Sequence, residues 1–298
     1  MSYGFPLGGK LVDLILTGLR GSTSPLLRVL TRLEFRQGDI ETFRDDLEGS
    51  GLRSIDLFLE DMKSDDVYVK IGKVAIAHVI LSGENREVLV GPNKTRDHWY
   101  EYVWNLMRPG SSPENLNQNG LRIVTFNYKR SFEYYFASVI KHSFRLDDWG
   151  DAWSLFEFSV PVIHLHGQVG KAEHFGAHPK ELSDAVVHQA ARSIRIVHDP
   201  VATDDPQFKQ ARDLISNASC VAFIGFGFHP ANLTRLDLQG CLTQEIITTG
   251  QLFASTYKMG AAEIELANEA IAISEPMVRF APTALDALEF LREHAPLR

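Results

Sequence analysis

The sequence predicts an α/β protein built on a doubly wound, mostly parallel sheet. Short runs rich in β-branched and aromatic residues recur along the chain, and segments with apolar residues at helical spacing separate them. Strands that alternate with helices pair in parallel through crossover connections. The chain has 298 residues, of which 44% are hydrophobic, so it suits one large domain with a core of its own.

The first part of the chain has mainly helical patterns. A glycine-rich start at residues 1–9 leads into a segment with apolar residues at helical spacing. Residues 24–115 are charged, rich in aromatic residues and helix-patterned, and Trp99, Tyr100 and Trp104 indicate a helix with a bulky buried stripe. We therefore predict one domain over residues 1–298, with a helical insertion at residues 24–115.

The remainder carries the predicted strands. They are residues 121–126, 160–166, 193–197, 219–224 and 251–256, the last of which we expect to be the final strand of the sheet. Four helices are predicted between and after these strands, at residues 131–141, 206–217, 261–270 and 283–293.

Composition narrows the class of partner. The net charge of −8 argues against nucleic acid or an anionic membrane as the main partner. Cys220 and Cys241 are the only cysteines, too few and too far apart for a disulfide framework or a zinc ribbon. The N-terminus lacks a signal-peptide pattern and no apolar run reaches 18 residues. We expect a cytoplasmic protein.

Polar residues or glycines follow three predicted strands: Asn127, the pair His164 and His166, and residues 225–227. The carboxyl ends of parallel strands meet at one edge, so we expect these groups to face one ligand. Strand alternation predicts that both histidines point to the same face, and Gly167 leaves room for a backbone or a ligand. An imidazole there can accept a proton near neutral pH, although a satisfied, half-buried His164 without a catalytic role is an alternative.

A metal site is the competing interpretation of the same region. Four histidines lie within fifteen positions and two carboxylates lie nearby: His164, His166, His174, His178, Glu173 and Asp199. This pattern predicts a histidine-rich, metal-dependent hydrolase as an alternative function.

Four short blocks carry a resemblance to a known family. They are Tyr-Gly-Phe-Pro-Leu-Gly at residues 3–8, Thr-Phe-Asn-Tyr at 125–128, His-Leu-His-Gly at 164–167 and Gly-Phe-Gly-Phe-His-Pro at 225–230. In this order they resemble the sirtuin-like domains of bacterial antiphage defence systems, and the likeness spans nearly the whole chain.

The resemblance implies a Rossmann-like fold that takes NAD as its substrate and hydrolyses it to nicotinamide and ADP-ribose, which depletes NAD in an infected cell and aborts the infection. It assigns catalysis to Asn127, which would position the ribose or a water, and to His166, which would act as the base. The residues implied in NAD binding are Gly4, Phe5, Pro6, Thr125, Phe126, Tyr128, Gly225, Phe226 and Gly227.

The sequence departs from the family pattern at two positions and lacks one module. The Gly-Ala-Gly-Ala-Ser turn that relatives carry upstream of the first block is not in this chain, through either a late start codon or a real truncation, and Lys129 stands where an Asp is common. The deacylase zinc module is also missing. We expect slow NAD turnover that rises when upstream codons are restored, and a catalytically weak NAD- or ADP-ribose-binding subunit is the alternative.

Relatives also suggest partners. They form homo-oligomers or act with a HerA-type ATPase or a short Argonaute, so we expect one of these arrangements. We expect neither membrane association nor sequence-specific nucleic acid binding.

Overall fold

The computed structural model describes residues 8–21, 23–52, 54–91, 98–177, 182–196, 205–242, 246, 251–271 and 278–295. Over these residues the protein is α/β, with many helices and two small parallel sheets. The α/β class predicted from the sequence is therefore confirmed. No helix in these ranges is both long and apolar enough to cross a bilayer.

Helices precede the first strand of the described chain. They are α1 Gly8–Arg20, α2 Pro25–Arg32, α3 Gln37–Gly49, α4 Ile55–Asp61, α5 Asp66–Ser82, α6 Arg86–Leu89 and α7 Trp99–Met107. Polar caps start several of them: Asp65 accepts hydrogen bonds from the backbone N–H groups of Val67 and Tyr68, at 2.9 and 3.1 Å, where α5 begins. Helices thus occupy most of the described part of residues 25–107, whereas residues 108–115 form turns and irregular backbone.

Strands and helices alternate from residue 123 onward. The elements are β1 Ile123–Thr125, α8 Ser131–Phe144, α9 Trp149–Ser159, β2 Val162–His164, α10 Asp184–Ser193, α11 Pro206–Ser216, β3 Val221–Phe223, α12 Pro230–Leu236, α13 Leu238–Cys241, β4 Leu252–Ala254, α14 Ala261–Ile271, β5 Val278–Phe280 and α15 Ala287–Glu293. Asp205 and Asp286 cap α11 and α15. Pro206 opens α11, at the first-turn position that proline favours.

All observed strand pairs are parallel. β1 pairs with β2, so that Thr125 lies opposite His164. β3, β4 and β5 form the second sheet in that order. Each of four predicted strands contains one observed strand, β1 to β4, three residues long.

Two strand predictions are wrong. Residues 193–197 do not start a strand, because α10 continues to Ser193 and residues 194–196 join no sheet; residue 197 lies outside the described ranges. Residues 251–256 do not hold the last strand, because β5 follows at Val278–Phe280. Its central Arg279 breaks the apolar pattern, yet the guanidinium lies 5.5 Å from the Phe253 ring on β4 and covers that ring.

The interior has three apolar clusters. α1 to α5 bury one cluster against α10. A second, aromatic-rich cluster surrounds α7, α8 and α9, where Tyr100, Val103 and Trp104 are buried, so the predicted stripe on this helix packs into the core. The third cluster lies around both sheets and α11 to α14. Tyr128 belongs to the first cluster although it follows β1, so it joins the helical region to the sheet edge.

Gly167 is the point of closest backbone approach beside the strand ends. Its φ is +77°, and a Cβ added there would lie 1.9 Å from the carbonyl oxygen of Ser193, at the end of α10. A backbone hydrogen bond holds the same two segments together, since the Arg195 N–H donates to the carbonyl oxygen of His166 at 2.8 Å. The backbone of Ser193 therefore occupies the space that the sequence predicts beside Gly167.

We predict that Gly167→Ala destabilises the protein by roughly 3 kcal/mol, because it adds steric overlap to the strain of positive φ. Gly110→Ala is the matched control, since φ there is +78° and an added Cβ meets no described heavy atom within 4 Å. The control should lose about 1 kcal/mol from φ alone. Urea unfolding of both variants measures the difference, and equal losses would contradict the close approach.

Candidate functional site

Phe126, just beyond β1, joins the three predicted strand ends. Its ring centroid lies 5.0 Å from that of His166 in an edge-to-face arrangement and 5.4 Å from that of Phe226. These contacts join residues that follow β1, β2 and β3, although β3 belongs to the other sheet. The sequence predicts that Asn127, the two histidines and residues 225–227 meet at one edge. Of these, His166 and Phe226 are brought together, through Phe126.

His166 lies in an aromatic wall. The residue is 4% exposed, and its ring lies 6.2 Å from that of Tyr128 in addition to the Phe126 contact. Aromatic packing of this kind excludes water from most of the ring and fixes its orientation. A buried imidazole with a fixed orientation suits a general base, provided that a substrate reaches it.

His164 lies in a different environment, so the prediction that both histidines face the same way is wrong. Its Nδ1 is 2.8 Å from the carbonyl oxygen of Asn127, and its Nε2 is 2.7 Å from Oε1 of Glu133 on α8. β2 ends at His164, and the following turn ends strand alternation before His166. The amide nitrogen of Gln168 also lies 3.2 Å from Nε2, so protein groups engage both ring nitrogens of His164.

Glu133 raises the pKa of His164. Burial disfavours a charged imidazole, but the hydrogen bond and the negative charge of Glu133, with the Asn127 carbonyl, outweigh burial and raise the pKa of His164 above its ordinary value. Gln168 also donates to Oε1 of Glu133. Glu133 was not predicted from the sequence, because a glutamate in the first turn of α8 has the same pattern as a helix-stabilising residue.

Asn127 is exposed at the edge of this cluster. Its backbone N–H donates to Oγ1 of Thr125 at 3.1 Å, which closes a tight turn after β1. The backbone of Asn127 is therefore held on two sides, by Thr125 and by His164, while the residue remains accessible from solvent.

Residues 225–227 form an open loop. Gly225 has φ +60° and its N–H donates to Oγ of Ser255 at 2.8 Å. Gly225 and Gly227 are exposed, and a Cβ added to either meets no heavy atom of the described residues within 4 Å. The loop is thus fixed at its start and has free space beside both glycines, as a loop that approaches a ligand requires.

Tyr128 connects the site to the helical region. Its hydroxyl is 2.7 Å from Oδ1 of Asp56 on α4 and 3.2 Å from the carbonyl oxygen of Arg195. Burial raises the pKa of Asp56, and the hydrogen bond from Tyr128 partly offsets that rise. No motif marks Asp56 in the sequence; only its position beside the folded strand edge distinguishes it from other helical aspartates.

Two basic residues, Lys129 and Arg130, follow Tyr128 in the chain. Burial lowers the pKa of Lys129 to about 8. Arg130 is buried and forms a two-bonded pair with Glu84, with N–O distances of 2.7 and 2.8 Å and side chains 2% and 1% exposed. The same guanidinium donates to the carbonyl oxygens of Lys171 and His174, and Glu84 also accepts from the Gly176 N–H.

Some predicted site residues lie outside the described ranges: Gly4, Phe5, Pro6, His178 and Asp199. Within those ranges, no group of three or more His, Cys, Asp or Glu side chains is close enough to hold a metal ion. A cleft of about 260 Å³ lies elsewhere, against α8, and residues such as Tyr135, Ser138 and His142 line it. The candidate site therefore rests on the strand-end geometry.

Comparisons of the chain with protein-family models, with curated proteins and with solved structures found no match. The site's chemistry is accordingly inferred from its own residues and from the resemblance of the four sequence blocks.

We predict that Glu84→Gln lowers the free energy of unfolding by about 3–5 kcal/mol, because it leaves the buried guanidinium of Arg130 without a counter-charge. Glu48→Gln is the matched control, since Glu48 pairs with Arg20 where both side chains are about half exposed, at 50% and 53%. The control should leave stability unchanged. Chemical denaturation compares the two, and an equally small effect of both would refute the role of the buried pair.

Proposed function

We propose that this chain cleaves NAD at the bond between nicotinamide and ribose, on a Rossmann-like, doubly wound scaffold. The observation that carries the proposal is the convergence at Phe126, which brings His166 and the glycine loop together beside the exposed Asn127. Ligands of open α/β sheets bind at the carboxyl ends of the strands, which is where these residues lie.

The chemistry needs few groups. The electron pair of the glycosidic bond leaves with nicotinamide, water adds to the ribose carbon, and the proton released from water passes to a base. In the proposal His166 is that base, and the amide of Asn127 orients the water or a ribose hydroxyl. The positive charge of the nicotinamide ring in NAD makes it a good leaving group.

The binding residues follow the resemblance. Thr125 at the end of β1, with Phe126 and Tyr128 just after it, would contact NAD, and Gly225, Phe226 and Gly227 would lie beside its adenosine half. The free space at both glycines supports close approach of a sugar or phosphate. Gly4, Phe5 and Pro6 remain proposed for the nicotinamide side on the resemblance alone.

A catalytically weak subunit that binds NAD or ADP-ribose is the second candidate, and Lys129 is the observation that favours it. With a pKa of about 8, this half-buried lysine is mostly cationic at pH 7. It stands beside Tyr128, where relatives carry an acid. A positive charge there disfavours the cationic ribosyl transition state and favours an anionic ligand.

The proposed biological role also follows the resemblance. NAD hydrolysis in the cytoplasm would deplete an infected bacterial cell and abort the infection. The proposed assembly is a homo-oligomer or a complex with a HerA-type ATPase or a short Argonaute.

We predict that His166→Ala and Asn127→Ala each lower the rate of nicotinamide release by at least about 100-fold while the protein stays folded, because each removes a group that acts on the reacting bond. His188→Gln is the control, since His188 is an exposed histidine on α10. Chromatography of NAD reactions measures release and circular dichroism checks the fold. Retained activity in both alanine variants would refute the assigned roles.

We predict that Lys129→Met raises nicotinamide release about three- to tenfold at pH 7, by removing a charge near the developing cation. The ratio of the variant's rate to the wild-type rate should decline towards one as pH rises from 7 to 9.5, because Lys129 loses its own proton through about pH 8. Binding of ADP-ribose should weaken in the same variant. An unchanged rate with weaker ADP-ribose binding would favour the second candidate.

A further inference from the structure

The contacts of His164 require a proton between this histidine and Glu133. The carbonyl oxygen of Asn127 only accepts hydrogen bonds, so Nδ1 of His164, 2.8 Å away, must carry a hydrogen. In a neutral imidazole, Nε2 would then present a lone pair to Oε1 of Glu133 at 2.7 Å. A carboxylate and a lone pair repel at that distance, so a proton lies between them.

The surroundings favour this proton on the imidazole. The His164 and Glu133 side chains are 10% and 6% exposed, so neither charge is screened by water. Gln168 donates an amide N–H to Oε1 of Glu133, which stabilises the carboxylate form, and the same amide nitrogen lies 3.2 Å from Nε2 of His164. Oε2 of Glu133 is buried and has no hydrogen-bond partner among the described residues, so Oε1 makes the carboxylate's hydrogen bonds.

Another titratable group in the described part of the chain, Tyr100, feels the charge of Glu133. Tyr100 on α7 has its hydroxyl 2.9 Å from Oγ of Ser131, in the same turn of α8 as Glu133. Burial raises the pKa of Tyr100, and the charge of Glu133 adds to that rise, so Tyr100 stays neutral wherever His164 titrates.

We propose that His164 is a positioning residue, held by Glu133 as an imidazolium that donates from both ring nitrogens and fixes the backbone of Asn127 at the end of β1. The inference rests on the proposed function, because it assigns His164 to orienting Asn127 for the reaction of NAD. His164 acts through Asn127, while His166 lies in the separate aromatic wall.

The proposal has a defined pH dependence. The pKa of His164 is raised in the folded state, so its contribution is complete below the ordinary value near 6.5 and is lost as pH rises through the raised value. Above that pH the imidazole is neutral and has a single N–H, which can donate either to the Asn127 carbonyl or to Glu133 but not to both. Wild-type kcat should therefore fall on the alkaline side, through the same pH range in which His164 titrates.

Two variants test separately the two hydrogen bonds of His164 and its positive charge. His164→Gln should lower kcat about 10- to 100-fold with little change in KM, because both donors of an amide lie on one nitrogen and cannot reproduce the positions of the two ring nitrogens. In Glu133→Gln a new amide N–H can donate to Nε2 once the amide of Gln168 turns its oxygen towards residue 133, so the single ring hydrogen stays directed at Asn127. This variant should keep kcat near the wild-type value at pH 7 and lose the alkaline fall. His188→Gln, which changes an exposed side chain of α10, should retain both the wild-type kcat and its alkaline fall.

A second measurement does not depend on activity. ¹⁵N NMR of the full chain labelled at histidine, with His164 assigned by His164→Gln, should show His164 titrating above pH 6.5 in the wild type and at lower pH in Glu133→Gln. The backbone amide of Asn127 should shift with the same titration.

The outcomes distinguish the two proposals. A wild-type chain that releases no nicotinamide refutes the proposed function, and NMR alone then decides whether His164 holds Asn127 as an imidazolium. A His164 titration at or below 6.5, one unchanged by Glu133→Gln, or wild-type kcat in His164→Gln overturns the positioning role.

Discussion

The buried pair of Arg130 and Glu84 is the constraint on which the site depends. One guanidinium joins the chain just after α5, the start of α8 and the loop at residues 171–176. These segments are distant in sequence, and the pair satisfies polar groups in all three. A buried ion pair adds little net stability compared with apolar packing, but it strongly disfavours arrangements that separate the partners. We infer that it fixes how the helical region meets the edge of the first sheet.

The site residues contact both the helical region and the second sheet. Towards the helices, Tyr128 reaches Asp56 on α4, so a helical residue supports the chain segment that carries Asn127. Towards the second sheet, the Phe126 ring contacts both His166 and Phe226. Aromatic contacts rather than a continuous hydrogen-bonded ladder therefore join the ends of the two sheets. This arrangement leaves the exposed Asn127 and the open glycine loop close to a buried imidazole.

Much of this arrangement could be predicted from the sequence, because it follows local patterns. Residues 121–126 and 160–166 alternate with helices, and their polar ends predicted the edge where the site lies. Other features depend on tertiary contacts. The turn after His164 separates the two histidines, β5 pairs with β4 while Arg279 covers the Phe253 ring, and the end of α10 replaces a predicted strand. Glu133 and Asp56 gain their importance from burial beside partners that are far away in the chain.

The central claim is that this edge hydrolyses NAD, and the most direct measurement is the identity of the product. The purified chain is incubated with NAD in water enriched in ¹⁸O, and the products are separated and analysed by mass spectrometry. The account predicts equal amounts of nicotinamide and of ADP-ribose that carries one ¹⁸O from solvent. NAD recovered intact, or nicotinamide released without labelled ADP-ribose, would contradict it.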